Sequence, residues 1–218
     1  MRIFQVSDIH ENVESAEMIP ERARALSADL ILIAGDITHF GGISEAEEIL
    51  GIISRAGLPI FFVSGNCDSR ELLTWSPKKL NAINLNGRLE FFSGYSFIGV
   101  GGGSGKFGTL TELEEDEFEE VLNRFRVSPE SLILLTHSPP HGTEVDFTGA
   151  KHIGSTTIRR FIERVQPLLV CTGHAHEGRG IISIGKTVVV NAGPAKNGFC
   201  AIIDVDGDFV RPELLTLY

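Results

Sequence analysis

Cysteine is scarce in this sequence. The 218-residue chain has three cysteines, Cys67, Cys171 and Cys200, and no two of them form a CxxC pair. A disulfide framework and a structural zinc site built from thiolates both need more cysteines at closer spacing. The sequence therefore predicts free thiols in a reducing compartment, and we expect the protein to be cytoplasmic.

The sequence also lacks a long apolar run and an excess of basic residues. No apolar stretch approaches the roughly 20 residues of a membrane span, and the first ten residues, "MRIFQVSDIH", have no apolar core typical of a signal peptide. The formal net charge of −10 disfavours general nucleic-acid binding, because phosphate backbones bind to basic surfaces. It leaves a small anionic substrate open, since local metal ions can outweigh the overall charge. The length fits a single domain of residues 1–218. A homo-oligomer is neither indicated nor excluded.

Apolar runs alternate with helical patterns along the first two thirds of the chain. "RIFQV", "DLILIAG" and "LPIFFVSG" are each followed by a helix-favouring segment, which predicts βαβ units and a largely parallel sheet. Pro20 is expected to break or kink the first helix. Thr111 and Glu114 form a predicted capping box for an acidic helix, whose run "ELEEDEFEE" we interpret as a solvated face rather than a docking surface. The last forty residues predict antiparallel hairpins, one of them turning at Asp206-Gly207.

Polar side chains follow five of the predicted strands. The carboxyl ends of parallel strands form the crevice in which α/β sheets bind ligands, so these side chains are expected to converge. They are Asp8 and His10 after the first strand, Asp36 after the second, Asn66 after the third, His137 after a later one, and His174 and His176 after the next. Oxygen and imidazole donors together suit Mn²⁺, Fe, Zn²⁺ or Ni²⁺ better than Ca²⁺. Because so many donors exceed the coordination number of one ion, the pattern indicates two ions that share a carboxylate.

The order and spacing of these residues resemble those of the calcineurin-like metallophosphoesterases. The matching motifs are Asp8-x-His10, Gly35-Asp36, Gly65-Asn66, His137 and Gly173-His174-x-His176. The chain is most similar to small prokaryotic members of phosphodiesterase type that carry Gly-Asn-Cys-Asp. The resemblance implies a four-layer αββα sandwich with two central mixed β-sheets.

The resemblance also implies a ligand set and a reaction. Asp8, His10, Asp36 and His176 would hold one divalent ion. Asp36, Asn66, His137 and His174 would hold the second, with Asp36 bridging. Mn²⁺ is the preferred metal, and Fe, Ni²⁺, Zn²⁺ and Mg²⁺ are alternatives. A hydroxide that bridges the two ions would attack phosphorus in line and hydrolyse a small phosphate ester.

Cys67 departs from the pattern of many members, in which a histidine beside the phosphate follows the asparagine. A thiol is a weak hydrogen-bond donor and a poorer acid than an imidazolium. We therefore expect esters with good leaving groups to be preferred. Ser64 stands where protein serine/threonine phosphatases carry arginine, which argues against that class. A phosphodiesterase is favoured over a monoesterase, and a nucleophilic Cys67 is disfavoured because the hydroxide already fills that role.

Four further residues are candidate substrate contacts: His141, His152, Lys106 and Arg179. Each could equally be an ordinary surface residue. His152 precedes a predicted helix whose free N–H groups could receive an anion, and His39 is near enough to Asp36 to support a ligand. Gly103, Gly105 and Gly108 fit the dinucleotide pattern G-x-G-x-x-G, but no acidic residue ends the next strand. We interpret this loop as a mobile flap beside the metal site.

Two other functions remain open from the sequence alone. A metal-binding scaffold with the same fold would act through protein contacts, although a scaffold is free to lose ligands that are all present here. A nuclease is less compatible with the acidic charge and with the lack of an added DNA-binding domain.

Overall fold

Two six-stranded mixed sheets pack face to face between pairs of helices. The computed structural model describes residues 1–105 and 107–218, and the candidate substrate contact Lys106 lies outside this part. The first sheet has the order β14-β13-β1-β2-β3-β4. Its strands are β1 (Arg2–Val6), β2 (Leu30–Ala34), β3 (Ile60–Val63), β4 (Ala82–Asn84), β13 (Phe199–Asp206) and β14 (Phe209–Thr216). Strands β1 to β4 are parallel, and β13 and β14 are antiparallel to their neighbours.

The second sheet has the order β11-β12-β10-β9-β6-β5. Its strands are β5 (Leu89–Phe92), β6 (Tyr95–Val100), β9 (Leu132–Thr136), β10 (Leu169–Thr172), β11 (Gly180–Ile184) and β12 (Thr187–Asn191). Its four inner strands are parallel, and each edge strand is antiparallel to its neighbour. A short parallel pair, β7 (Gly103–Ser104) and β8 (Glu112–Leu113), lies outside both sheets.

Three apolar layers hold these elements together. The middle layer lies between the sheets, where Leu32 and Val63 of the first sheet pack with Leu135 and Cys171 of the second. Helices α1 (Val13–Ala25) and α2 (Ile43–Ile53) cover the outer face of the first sheet, and α3 (Glu115–Leu122) and α4 (Thr156–Val165) cover that of the second. The predicted four-layer αββα sandwich is therefore confirmed. No helix in the described part of the chain is long and apolar enough to cross a membrane.

Helices α1 and α3 differ from their sequence predictions. Helix α1 continues through the buried Pro20, so proline does not break the helix there, and tertiary packing outweighs its local cost. Helix α3 begins at Glu115, and Glu114 rather than Thr111 is its N-cap. The hydroxyl of Thr111 instead donates a hydrogen bond to the Asp68 carbonyl, at 2.7 Å.

A helix predicted after β3 and a hairpin predicted near the C-terminus can also be compared with the structure. The predicted helix in "DSRELLTWSPKKL" is reduced to a 3₁₀ turn, Arg70–Leu73. The other 3₁₀ turns are Ser54–Ala56, Pro129–Ser131, Glu144–Asp146, His176–Gly178 and Ala195–Asn197. The predicted hairpin is present between β13 and β14, but its two-residue turn is Gly207-Asp208, one residue later than expected, because Asp206 still pairs with Phe209.

Candidate metal centre

The candidate ligands lie where parallel strands of both sheets end. Asp8, Asp36 and Asn66 follow β1, β2 and β3 of the first sheet, while His137 and His174 follow β9 and β10 of the second. A hydrogen bond joins the two sheets at this edge, because His137 Nδ1 lies 2.8 Å from the Ala34 carbonyl at the end of β2. The strand ends of both sheets therefore meet at one place.

Four of these residues have left-handed backbone conformations. The φ angles are 54° at Asp8, 49° at His10, 49° at Asp36 and 69° at His174. Such angles cost a non-glycine residue about 1–3 kcal/mol and persist where the surrounding structure imposes them, often at functional sites. The chain therefore turns sharply after β1, β2 and β10, and each turn carries a candidate ligand.

Asp8, His10 and His176 form one half of the cluster. They can offer ligand atoms that lie within 4.8 Å of one another. His176 Nε2 is 3.2 Å from Asp8 Oδ1, and His10 Nε2 is 3.6 Å from Asp36 Oδ2. Asp36 thus lies beside this half through one carboxylate oxygen.

Asp36 reaches the other half through its second oxygen. His137 Nε2 is 3.6 Å from Asp36 Oδ1 and 2.8 Å from Asn66 Oδ1. The ring centroids of His137 and His174 are 4.9 Å apart. The structure therefore brings all seven candidate ligands together, with Asp36 between the halves.

The hydrogen bonding of His137 favours a positive charge at or beside its Nε2 atom. Its Nδ1 faces a carbonyl and must donate, so in the neutral ring Nε2 carries the lone pair. That lone pair points at two acceptor oxygens, those of Asn66 and Asp36. Burial lowers the pKa of His137, but the carboxylates of Asp36 and Asp8 outweigh burial and raise it. Either a proton on Nε2 or a cation between these atoms would relieve the repulsion.

His10 and His174 each have a buried nitrogen that lacks a partner among the described residues. Nε2 of both rings is buried and accepts no hydrogen bond from residues 1–105 or 107–218, which is uncommon in folded proteins. Burial lowers the pKa of His10 to about 4 and that of His174 to about 3. Both rings are therefore neutral near pH 7, the form that binds a metal ion.

The two buried carboxylates fit the same interpretation. Burial raises the pKa of Asp36 to about 7. Burial also acts on Asp8, but the hydrogen bond from His176 and the charge of His137 outweigh it and lower the pKa of Asp8. A divalent cation beside both groups would keep both ionised. Neutral imidazoles, buried carboxylates and an amide oxygen together make a donor set that fits divalent ions.

Cys67 lies within this cluster. Its backbone N–H donates to Asp36 Oδ1 at 2.7 Å, and its thiol can approach ligand atoms of His10 and Asp36. Burial, followed by the charge of Asp36, raises the pKa of the thiol. In the metal-free protein Cys67 is therefore a protonated thiol near neutral pH.

Sequence reasoning gave no role to Asp68, which holds two of the ligand loops. Its buried carboxylate accepts hydrogen bonds from the backbone of Ile37, Thr38 and Gly65 and from the Thr38 hydroxyl, at 2.7–3.2 Å. These donors flank Asp36 and Asn66. The available signal was its position in Gly-Asn-Cys-Asp, but the donors at Ile37 and Thr38 lie about thirty residues away.

Gly65 is a second residue whose role the structure explains. A Cβ atom at this position would lie 2.0 Å from Asp36 Oδ1, which no side chain tolerates. The absence of a side chain lets the loop after β3 approach the Asp36 carboxylate. The glycine directly before Asn66 was the signal in the sequence.

His141 and His152 lie together on a carboxylate that the sequence analysis did not single out. Asp146 Oδ1 is 2.7 Å from His152 Nδ1, and Asp146 Oδ2 is 3.5 Å from His141 Nδ1. The side chain of Asp146 is buried, while both histidine rings are about two-fifths exposed. Asp146 thus presents two imidazoles to solvent.

The structure corrects the expectation that the N-terminus of α4 could bind an anion. The first N–H groups of α4 are already bonded, because Glu115 accepts from Thr156 and Thr157 and the Ser155 hydroxyl accepts from Ile158. The helix N-terminus beside His152 therefore cannot receive an anion. This bonding also makes Glu115 a structural residue rather than part of a solvated face.

Arg179 does not have the role expected of it. Its guanidinium donates to the carbonyls of Ala192 and Leu215 and lies 4.6 Å from the centre of the Phe199 ring. The guanidinium is therefore held by contacts within the protein, and the prediction of Arg179 as a phosphate contact is corrected.

The glycine-rich loop and His39 flank the cluster. A Cβ at Gly103 would lie 2.6 Å from Asn66 Cβ, so this loop passes directly beside Asn66. Helix α3 begins only at Glu115, well after Gly108, so the segment is not the strand–turn–helix of a dinucleotide site. His39 lies beside His10, with their Nδ1 atoms 3.5 Å apart.

Several known proteins are similar to this chain in sequence or fold. A 32% identical uncharacterized protein of Methanocaldococcus jannaschii aligns over 89% of this chain and 88% of its own. A Synechococcus protein named as a probable cyclic nucleotide phosphodiesterase is 25% identical over 83% of this chain and 77% of its own. A dimetal phosphatase from Danio rerio has the same fold, with a TM-score of 0.68 at 10% identity, covering 100% of this chain and 99% of that one.

The family model for calcineurin-like phosphoesterases matches residues 1–178. This range contains all seven candidate ligands. It also contains the whole set of motifs that carried the sequence resemblance. The chain therefore belongs to the calcineurin-like phosphoesterase family.

Proposed function

We propose that this protein is a metal-dependent phosphodiesterase that hydrolyses a small phosphate ester. The observation that carries the proposal is the buried cluster in which two imidazole nitrogens, on His10 and His174, have no hydrogen-bond partner in the part of the chain that the structure describes. The cluster lies at the strand ends, where α/β sheets bind ligands. Family membership supports the choice of a phosphoester substrate.

In this proposal the cluster holds two divalent ions. Asp8, His10, Asp36 and His176 would hold the first. Asp36, Asn66, His137 and His174 would hold the second. Asp36 suits the shared position because one of its oxygens faces His10 and the other faces His137. Mn²⁺ is our first choice, since it accepts both carboxylate and imidazole ligands.

The bound ions would supply Lewis acidity and neutralise charge at phosphorus. The protein residues would keep this site rigid and dry. His137 is oriented by the Ala34 carbonyl, and Asp36 is oriented by the Cys67 N–H. Because the side chains of Asp8, Asp36 and His137 are at most 3% exposed, their charges are screened little by water, and an anionic phosphate would interact strongly with the loaded site.

A diester is preferred to a monoester for two reasons. The Synechococcus relative carries a phosphodiesterase name, and a thiol follows Asn66, where an imidazole would better serve a doubly charged phosphate. The net charge of −10 argues against a long nucleic acid as substrate.

We further propose one domain of residues 1–218 in a reducing, cytoplasmic compartment. The late strand β13 pairs with β1, so the C-terminal segment completes the first sheet. The three cysteines are free and buried.

The test compares an aryl phosphodiester with the matching monoester. The protein is treated with a chelator and then supplied with Mn²⁺, Ni²⁺, Zn²⁺ or Mg²⁺. We expect metal-dependent hydrolysis, faster on the diester, that is abolished in Asp36→Asn and retained in the surface control Asp204→Asn. Calorimetry on the same samples measures metal binding. Metal binding without hydrolysis of either ester would contradict the proposal and favour a scaffold.

A further inference from the structure

We propose that His152, held by the buried Asp146, donates the proton to the leaving-group oxygen of the substrate. This inference rests on the proposed function, because it assigns a role within phosphoester hydrolysis. It names a proton donor for the leaving group, a role that none of the candidate ligands has been given. The residue after Asn66 is Cys67, and a thiol is a weak donor for an alcohol that must leave with a proton.

The pairing of His152 with Asp146 fixes the ring. Asp146 Oδ1 accepts from His152 Nδ1 at 2.7 Å and from the Thr143 N–H at 2.7 Å. Asp146 Oδ2 accepts from the N–H groups of Gly142 and Gly154, both at 3.1 Å. The carboxylate cannot rotate without breaking several of these bonds. A carboxylate that orients an imidazole through Nδ1 leaves Nε2 free for proton transfer.

The exposed side of His152 lines an open cavity of about 510 Å³. Phe147 lines the same cavity, with its ring centre 5.1 Å from that of His152. Glu177 lines it as well, and this residue directly follows the candidate ligand His176. The cavity therefore extends from His152 to the residue that follows the candidate ligand His176.

A second chain of contacts connects the same two places. The Phe107 ring is 6.2 Å from the His174 ring, centre to centre. Lys151 Nζ lies 4.4 Å from the centre of the Phe107 ring, and His152 is the next residue. The loop that carries His152 is thus connected to the His174 side of the cluster through the Phe107 ring.

The residues that line the cavity favour one class of leaving alcohol. Phe147 offers an apolar ring that is 38% exposed, and Glu144 and Glu177 add negative charge at the wall. An uncharged alcohol with an apolar or aromatic part fits this surface better than an anionic one. His141 is a weaker candidate for the proton donor, because its Nδ1 is 3.5 Å from Asp146.

The step is balanced as follows. A water-derived oxygen bonds to phosphorus while the bond to the leaving oxygen breaks. The proton on His152 Nε2 moves to that oxygen, which leaves as a neutral alcohol. The ring is left neutral, with its Nδ1 proton still bonded to Asp146, and it regains the Nε2 proton from solvent.

The experiment measures kcat/KM on methyl aryl phosphodiesters whose phenols differ in acidity. His152→Gln should lower kcat/KM by about 10²–10⁴ for the least acidic phenol and by less than about 10 for 4-nitrophenol, because only a poor leaving group needs the proton. Asp146→Asn should change the series in the same sense. His141→Gln should leave the ratio between the two extreme substrates at the wild-type value.

A second readout does not need turnover. Imidazole ¹⁵N shifts in the metal-free protein should show His152 protonated at Nδ1, and Asp146→Asn should abolish this preference. Equal losses across the phenol series, or a ring that is not protonated at Nδ1, would overturn the assignment while leaving the phosphodiesterase proposal intact. A wild-type protein that hydrolyses no ester with any ion would overturn both.

Discussion

Asp68, which is not one of the seven candidate ligands, should contribute more to stability than a surface aspartate. Four donors point at its buried carboxylate: the N–H groups of Ile37, Thr38 and Gly65 and the Thr38 hydroxyl. They belong to the loops after β2 and β3, which carry Asp36 and Asn66. Asp68 thus acts as the shared acceptor for two loops of the metal centre.

The size of the effect follows from the number of donors. Asp68→Asn keeps one acceptor oxygen, so whichever way the amide turns, two donors lose their partner. A buried donor left unpaired costs about 1–3 kcal/mol, and we expect a loss of about 3 kcal/mol in the free energy of unfolding. Asp68→Ala unpairs all four donors, and about 4 kcal/mol or more is expected, at the upper end for single substitutions.

Denaturant unfolding in the presence of a chelator measures this loss without a contribution from metal binding. Asp204→Asn is the matched control, because Asp204 pairs with Arg2 and both side chains are more than 40% exposed; its loss should stay below about 1 kcal/mol. Calorimetry should also show weaker Mn²⁺ binding to Asp68→Asn, since the loops that carry Asp36 and Asn66 are loosened. An Asp68→Asn protein as stable as Asp204→Asn would refute the reasoning.

Two further predictions concern Cys67 and Asp146. Cys67→His should raise kcat/KM most for the poorest leaving groups, because it adds an imidazole donor beside Asn66; equal gains on all esters would contradict this. Hydrogen bonds from Thr143 and His152 outweigh burial and hold the pKa of Asp146 below its ordinary 3.8. The stabilisation is therefore complete above that value and is lost as pH falls through the lower folded pKa. Unfolding curves between about pH 2 and 5 should be less pH-dependent in Asp146→Asn than in wild type, and parallel curves would rule this out.

The βαβ units and the candidate ligands could be predicted because both depend on local patterns, whereas the four-layer sandwich was implied by the family resemblance. An apolar run that ends in Asp, Asn or His is visible along the chain, and the topology rule for parallel strands places those ends together. The hairpin between β13 and β14 was predicted from residues adjacent in sequence, although its turn lies one residue later than expected.

The remaining features depend on partners that are distant along the chain. The role of Asp68 becomes visible only with its donors near Thr38, and that of Glu115 only with the first turn of α4, about forty residues later. Arg179 was predicted as a phosphate contact because the sequence does not show that folding brings its carbonyl acceptors, Ala192 and Leu215, next to it. Pro20 was expected to interrupt a helix that packing maintains.

The contact between Asp8 and His176 has a consequence for how the protein is made. These residues are 168 positions apart, so the ligand set is incomplete until most of the chain has left the ribosome. The first βαβ units would emerge with Asp8 and Asp36 in place but without the histidines that follow β9 and β10. The complete set of candidate ligands therefore forms only once both sheets have assembled.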